Sequence, residues 1–159
     1  MTNPSSAQLI LELAKRQSAI VATAESCTGG LISGAITMIP GSSDIFDRGF
    51  VTYSNEAKMM MLGVPEELIQ QHGAVSEDVA LAMAQGALER SAANLAVSVT
   101  GIAGPGGSEH KPEGRVCFGL AATGQEPTAE TIEFGAIGRD RVRERTVEHA
   151  LKLLVDALS

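Results

Sequence analysis

The feature of this sequence that most restricts its fold is the alternation of short β-like runs with helical segments along 159 residues. Runs rich in Val, Ile, Ala and Thr predict strands, and apolar residues spaced three and four apart predict helices between them. The strands are expected at residues 19–23, 48–54, 94–99, 115–122 and 128–134. The helices are expected to begin near residue 5 and to cover 31–39, 55–62, about 76–91 and about 140–157.

This alternation predicts the fold class α/β, as a three-layer α/β/α sandwich with a mixed, largely parallel sheet of about five strands. The last two strands flank a turn at Gly124, so we expect them to form an antiparallel hairpin. The length and the lack of internal repeats indicate a single domain over residues 1–159. Residues 105–113 form the predicted mobile loop.

The charge excludes one class of function. Formal net charge is −7 and the isoelectric point is about 4.9, whereas proteins that bind nucleic acid directly need clustered Lys and Arg. We therefore expect no direct nucleic-acid binding. A small anionic ligand remains compatible with this charge, because a few arginines or a helix N-terminus can bind phosphate.

Cysteine and histidine usage predicts neither a disulfide nor a metal site. Cys27 and Cys117 lie far apart, without zinc-site or disulfide-framework spacing. His72, His110 and His149 show no metal-ligand spacing either. We expect both thiols to be buried and reduced, and we expect no metal and no cofactor.

Targeting signals are not evident. Residues 1–17 lack the basic start and apolar run of a signal peptide, and no segment has the roughly 20 apolar residues of a membrane span. The expectation is a soluble, cytoplasmic protein without a membrane partner. Self-association as a homo-oligomer is left open.

The first candidate site is the segment 23–30, where a predicted strand ends, a turn carries Ser26, Cys27 and Thr28, and a Gly29-Gly30 pair opens a helix. Hydroxyl groups at the carboxyl edge of a sheet, together with helix N–H groups, suit a phosphate or a developing oxyanion. The alternative is that Thr28 caps the helix while the glycines allow close packing. The pattern alone favours neither interpretation.

The second candidate is Lys58. If Ser54 or Asn55 is the N-cap, Lys58 lies in the first turn of a helix, whose positive end should lower the lysine pKa. A neutral lysine can act as general base to a serine hydroxyl. The alternatives are a solvated surface lysine and, for Met59–Met61, ordinary core packing.

The third candidate is the loop 100–107, in which four glycines allow the backbone, including Thr100 and Gly101, to approach a ligand closely. By itself a glycine-rich loop is weak evidence, since it lacks the ending of a P-loop. It is equally compatible with an ordinary mobile connection.

Two arginines of the last helix form the fourth candidate. Helical spacing places Arg139 and Arg143 on the apolar side of that helix, where a cation needs a partner. We expect Arg143 to pair with a carboxylate, and we leave a carboxylate or a bound anion open for Arg139.

Several of these segments together resemble one known family, the CinA C-terminal family. The matching segments are AESCTGG (24–30), PGSS (40–43), RGFVTYSNEAK (48–58), HGAVS (72–76), GIAGP (101–105) and KPEG (111–114). The resemblance runs from about Ile10 to the last helix. Studied members are nicotinamide-nucleotide amidohydrolases, so it implies hydrolysis of nicotinamide mononucleotide to nicotinate mononucleotide and ammonia, in a stand-alone form of the domain.

The resemblance also implies roles for particular residues. Ser26 corresponds to the proposed nucleophile and Lys58 to the proposed base, and Tyr53 is placed with them in the catalytic group. The resemblance places Thr28, Tyr53, Thr100 and Arg139 in the substrate pocket, and we also expect Gly29, Gly30 and Gly101 to contact the substrate. Departures from the family's pattern are a glycine-rich loop one residue shorter, Glu113, and Ile137-Gly138 before Arg139.

Two other functions are consistent with the same segments. One is a non-catalytic nucleotide-binding module, and the other is an interaction module associated with competence or DNA damage. Binding alone does not need a base beside a hydroxyl, which favours the enzyme. Release of ammonia from the substrate separates the enzyme from both alternatives.

Overall fold

The computed structural model describes residues 4–159 and contains five strands and six α-helices within them. The strands are β1 (Val21–Glu25), β2 (Phe46–Val51), β3 (Leu95–Gly101), β4 (Arg115–Ala122) and β5 (Thr128–Glu133). The helices are α1 (Ser6–Gln17), α2 (Leu31–Thr37), α3 (Asn55–Leu62), α4 (Glu66–His72), α5 (Glu77–Glu89) and α6 (Arg139–Leu158). A 3₁₀ turn at Ser42–Asp44 leads into β2.

The strands form one mixed sheet in the order β2-β1-β3-β4-β5. β1 pairs in parallel with both β2 and β3, and β4 pairs antiparallel with β3 and β5. The mixed five-stranded sheet and the antiparallel hairpin are therefore confirmed. The hairpin turn contains Gly124, whose φ of 79° lies in the left-handed region that glycine enters without strain.

The helices cover both faces of the sheet, which confirms the three-layer sandwich. One apolar cluster joins α1, α2 and α6 to side chains such as Val21 and Val97. The other cluster joins α3, α4 and α5 to Ala22 and Ala96. Neighbouring residues of a strand point to opposite faces, so β1 and β3 each contribute to both clusters.

Three elements differ clearly from the sequence expectation. β2 (Phe46–Val51) begins two residues and ends three residues earlier than the expected range 48–54. β1 lies two residues further along the chain than expected, because it includes the buried carboxylate of Glu25, which an apolar pattern does not predict. Helix α4 was not expected; Pro65 is its N-cap, and the helix begins with Glu66 and Glu67.

The topology brings the carboxyl ends of three strands to one edge of the sheet. Glu25, the last residue of β1, is paired with Val51 of β2 and with Val99 of β3. The segments that follow these strands therefore begin side by side, as is usual for ligand sites in α/β folds. Within residues 4–159, no helix is both long and apolar enough to cross a membrane.

Candidate active site

Ser26 lies in a tight turn directly after β1. Its main-chain N–H donates to the carbonyl of Val99 at 3.1 Å, and its own carbonyl accepts from the N–H of Gly29 at the same distance. Positive φ angles of 58° at Gly29 and 106° at Gly30 allow the chain to turn sharply into α2. Ser26 is 7% exposed and lines a cleft.

Lys58 reaches Ser26 from α3, 32 residues further along the chain. Ser54 is the N-cap of this helix, since its side chain accepts from the N–H of Ala57, so Lys58 does lie in the first turn. The side chain points inward: Lys58 is 1% exposed and its Nζ lies 3.0 Å from Ser26 Oγ. The interpretation as a surface lysine is therefore wrong.

The remaining contacts of Lys58 are two main-chain carbonyls. Its Nζ lies 3.0 Å from the carbonyl oxygen of Thr52 and 3.4 Å from that of Tyr53. Burial lowers the pKa of Lys58 from its ordinary value of 10.5. A neutral amine has two N–H groups and one lone pair, so the two carbonyls can accept both hydrogens while the lone pair accepts from the Ser26 hydroxyl. The direction of the pKa change agrees with the expectation, but its main cause is burial.

Cys27, the neighbour of Ser26, is not an activated thiol. It is a free cysteine, 5% exposed, and burial raises its pKa from 9.0 to about 12. A thiol with that pKa is protonated at neutral pH and is a weak nucleophile. Cys117 is also free and buried, which confirms the expectation for both cysteines.

Glu25 occupies the N-terminus of α2. Its carboxylate accepts hydrogen bonds from the N–H groups of Gly30, Ile32 and Ser33, and from the hydroxyl of Thr28 at 2.5 Å. These donors were expected to face a ligand. They are satisfied inside the protein, and the cleft is lined by Ser26 and Cys27 of this turn and not by Thr28, Gly29 or Gly30. Substrate contacts at these three residues stay a prediction.

Arg139 and Tyr53 meet at the rim of the cleft. Arg139, at the start of α6, donates from Nη1 to the carbonyl of Gly104 at 2.7 Å and from Nη2 to the hydroxyl of Tyr53 at 2.8 Å. Tyr53 is 61% exposed. A guanidinium has five N–H donors, so these two contacts leave others for an anion at the rim.

Arg143 lies one helical turn further along α6 and contacts the Ser26 turn. Its Nε donates to the carbonyl of Cys27 at 3.0 Å and its Nη2 to the carbonyl of Thr28 at 3.3 Å. The partners that the structure shows are thus two main-chain carbonyls, where a carboxylate was expected. The turn exposes these carbonyls toward α6, which a helical-wheel argument cannot predict.

The cleft between these segments has a volume of about 320 Å³. Its lining includes Ser26 and Lys58, Thr100 and Gly101 at the end of β3, and the loop 102–109. Thr100 is buried and its hydroxyl donates to the carbonyl of Ala74. In the part of the chain from residue 4 onward, no group of three His, Cys, Asp or Glu residues is arranged to hold a metal ion.

The site also contains residues that sequence reasoning did not assign. Glu25 was quoted within AESCTGG but given no role, and Asn55, Val75 and Glu109 line the cleft without having been candidates. An unusual charged residue at the end of an apolar strand was the available signal for Glu25. The other three become neighbours only through the fold. Glu113, a departure from the family's pattern, accepts from the N–H of Gly106 at 2.6 Å and so supports this loop.

Comparison with known families and structures gives a consistent result. The family model described as CinA C-terminal domain matches residues 3–158. A crystal structure of the competence/damage inducible protein CihA from Agrobacterium tumefaciens superimposes with a TM-score of 0.86 at 50% identity, covering 99% of each chain.

Two curated relatives differ in length. A protein of Symbiobacterium thermophilum named putative competence-damage inducible protein is 53% identical over 156 residues, but this chain spans only 36% of its length. A protein of Escherichia coli K12 named nicotinamide-nucleotide amidohydrolase PncC is 53% identical over 141 residues, which cover 88% of this chain and 85% of that protein.

Proposed function

The chain belongs to the CinA C-terminal domain family, and from this premise we propose that it hydrolyses the carboxamide of nicotinamide mononucleotide to nicotinate mononucleotide and ammonia. The observation that carries the proposal is the 3.0 Å contact between Ser26 Oγ and the buried Nζ of Lys58 inside a cleft. The name of the Escherichia coli relative, with which the chain shares 53% identity, supports the choice of substrate.

The chemistry follows from the hydrogen bonds of Lys58. Neutral Lys58 takes the proton of the Ser26 hydroxyl as Oγ attacks the carboxamide carbon, and the resulting ammonium gives a proton to the leaving nitrogen. Ammonia departs and an ester to Ser26 remains. Water then attacks this ester, Lys58 takes a proton from the water, and the nicotinate leaves as Ser26 Oγ recovers its proton.

We include Tyr53 with Ser26 and Lys58 in the catalytic group because of its main-chain carbonyl. This carbonyl and that of Thr52 hold the Lys58 amine in place. The N–H of Ser26 and those at the start of α2 already have partners within the protein. The donors that stabilise the oxyanion are therefore other groups of the cleft wall.

The phosphate of the substrate is proposed to bind at the rim, where Arg139 has spare N–H donors beside the Tyr53 hydroxyl. The ring then extends inward along Thr100 and Gly101 toward Ser26. The two buried, reduced cysteines support a cytoplasmic location. We also retain a single domain and a capacity to form homo-oligomers as parts of the proposal.

The test is release of ammonia and nicotinate mononucleotide from nicotinamide mononucleotide by the purified protein, without added metal. Ser26→Ala and Lys58→Ala are each expected to lower kcat by about 10³-fold or more, because nucleophile and base act as one unit. A folded wild-type protein that binds the mononucleotide but releases no ammonia would contradict the enzyme and support the non-catalytic binding module.

A further inference from the structure

The polar group with the densest set of contacts near the cleft is the carboxylate of Glu25, which is fully buried. Oε1 accepts from Thr28 Oγ1, Gly30 N and Ile32 N at 2.5, 3.3 and 2.9 Å. Oε2 accepts from the N–H and the hydroxyl of Ser33 at 3.0 and 2.9 Å. All five contacts come from the segment that carries Ser26 into α2.

Arg143 holds the other side of the same turn. Glu25 binds the hydroxyl of Thr28, whereas Arg143 binds the carbonyls of Cys27 and Thr28. The Glu25 carboxylate accepts hydrogen bonds from the N–H and hydroxyl groups of this turn, whereas the Arg143 guanidinium donates to its carbonyl groups. The two charged side chains therefore constrain residues 26–30 through different sets of main-chain and side-chain atoms. Neither side chain reaches the Ser26 hydroxyl in the structure; that hydroxyl contacts Lys58.

Both charged residues are anchored in rigid elements. Glu25 is the last residue of β1, which is paired on both sides by β2 and β3. Arg143 belongs to the twenty-residue helix α6, which packs against α1 and α2 in the apolar cluster on that face. The position of the Ser26 turn is thus set by the sheet and by α6 together.

We infer that Glu25 and Arg143 are positioning residues, which hold the Ser26 turn at the distance from Lys58 that proton transfer requires. This inference rests on the proposed function. Ser26 and Lys58 come from segments 32 residues apart, so nothing local to either residue fixes their separation. A displacement of about 1 Å at a reacting group can lower a rate by about 10²-fold.

Conservative substitutions remove the positioning contacts while keeping side chains of similar length. Glu25→Gln places an amide NH₂ group where a carboxylate oxygen accepts from the Ser33 N–H, so that donor faces donor. Arg143→Lys keeps the positive charge but replaces the two guanidinium nitrogens that contact the two carbonyls with a single ammonium nitrogen. Asp47→Asn is the matched control, because Asp47 also accepts a main-chain N–H, that of Ala92, but lies near the amino end of β2, away from the cleft.

The experiment measures kcat and KM for nicotinamide mononucleotide, the pH profile, and the rate at which a fluorophosphonate labels Ser26, in the wild type and the three variants. Rates are expressed per folded molecule, with folding followed by circular dichroism. For Glu25→Gln and Arg143→Lys we expect kcat to fall by about 10- to 100-fold with KM within about twofold. Ser26 labelling should slow in parallel, while the acidic limb of the pH profile, set by Lys58, stays in place. Asp47→Asn should retain the wild-type kcat.

A wild-type kcat per folded molecule in Glu25→Gln and Arg143→Lys would overturn the inference, because any loss of activity would then only follow the folded fraction. A failure of the proposed function looks different. In that case the wild type releases no ammonia, yet Ser26 is still labelled and the labelling still slows in the two variants.

Discussion

At the scale of single residues, the buried Lys58 amine makes the proposed reaction dependent on pH. Burial lowers the Lys58 pKa below 10.5, and only the neutral amine can take the Ser26 proton. The rate constant kcat/KM should therefore rise as pH increases through the lowered pKa, and fall on the acidic side. Measuring kcat/KM from about pH 5 to 10 checks this limb.

A substitution at the same position provides the control. Lys58→Arg keeps a cation of similar length, but a guanidinium is not deprotonated in proteins, so it cannot act as a base. We expect activity to be lost at every pH. An arginine variant that keeps the wild-type pH limb would contradict the role of Lys58.

The positions of Ser26 and Lys58 could be predicted from the sequence, because each depends on residues close to it along the chain. Helix capping by Ser54 placed Lys58 in a first turn, and Ser26 stood at the end of a strand. Whether Lys58 was buried or solvated could not be decided, because that depends on the carbonyls of Thr52 and Tyr53 across the turn. Burial of Glu25 and the carbonyl partners of Arg143 were likewise beyond a one-dimensional pattern.

At the scale of elements, the contact between α5 and α3 controls the position of Lys58. A Cβ atom at Gly86 of α5 would lie 2.0 Å from the carbonyl oxygen of Leu62, the last residue of α3. Gly86→Ala must therefore shift α5 and α3 relative to each other, and α3 carries Lys58. We expect the free energy of unfolding to fall by about 1–3 kcal/mol and kcat to fall with it, as measured by denaturant unfolding and ammonia release.

The matched control is Gly34→Ala in α2, where a Cβ atom would meet no other atom within 4 Å. Alanine is the better helix former, so this variant should be more stable by up to about 1 kcal/mol and remain active. Equal stability losses in the two variants would contradict the account based on the Leu62 contact.

Most elements were predictable because their signals are local. The bounds of α3 agree with the expected range 55–62, and those of β4 with 115–122. Helix α4 was missed because a seven-residue helix after Pro65 has too few turns to show an apolar period. The strand order could be predicted only as mixed, since the pairing partners of β1 are set by packing of the helices on both faces.

At the scale of the whole molecule, the site combines elements from both helical layers. Lys58 lies on α3, which packs in one layer, whereas Arg139 and Arg143 lie on α6, which packs in the other. The layers are joined by a shared sheet, so we expect one cooperative unfolding transition, as is usual for a domain of this size. This expectation also tests the single domain.

The composition offers a direct measurement. The chain contains one Tyr and no Trp, so intrinsic fluorescence reports on Tyr53 at the cleft rim, while far-ultraviolet circular dichroism reports on all helices. The two thermal transitions should coincide. Loss of the fluorescence signal at a lower temperature than the dichroism would show that the cleft rim unfolds separately and would contradict a single cooperative unit.

The hairpin turn at Gly124 has a practical consequence for handling this protein. β4 runs antiparallel to β3, with Ala122 opposite Leu95, so the turn lies at the end of the sheet remote from Ser26 and Lys58. A Cβ atom at Gly124 would meet nothing within 4 Å. A reactive handle inserted in this turn would allow the protein to be tethered to a solid support or a fluorescent dye, with its cleft facing away from the attachment.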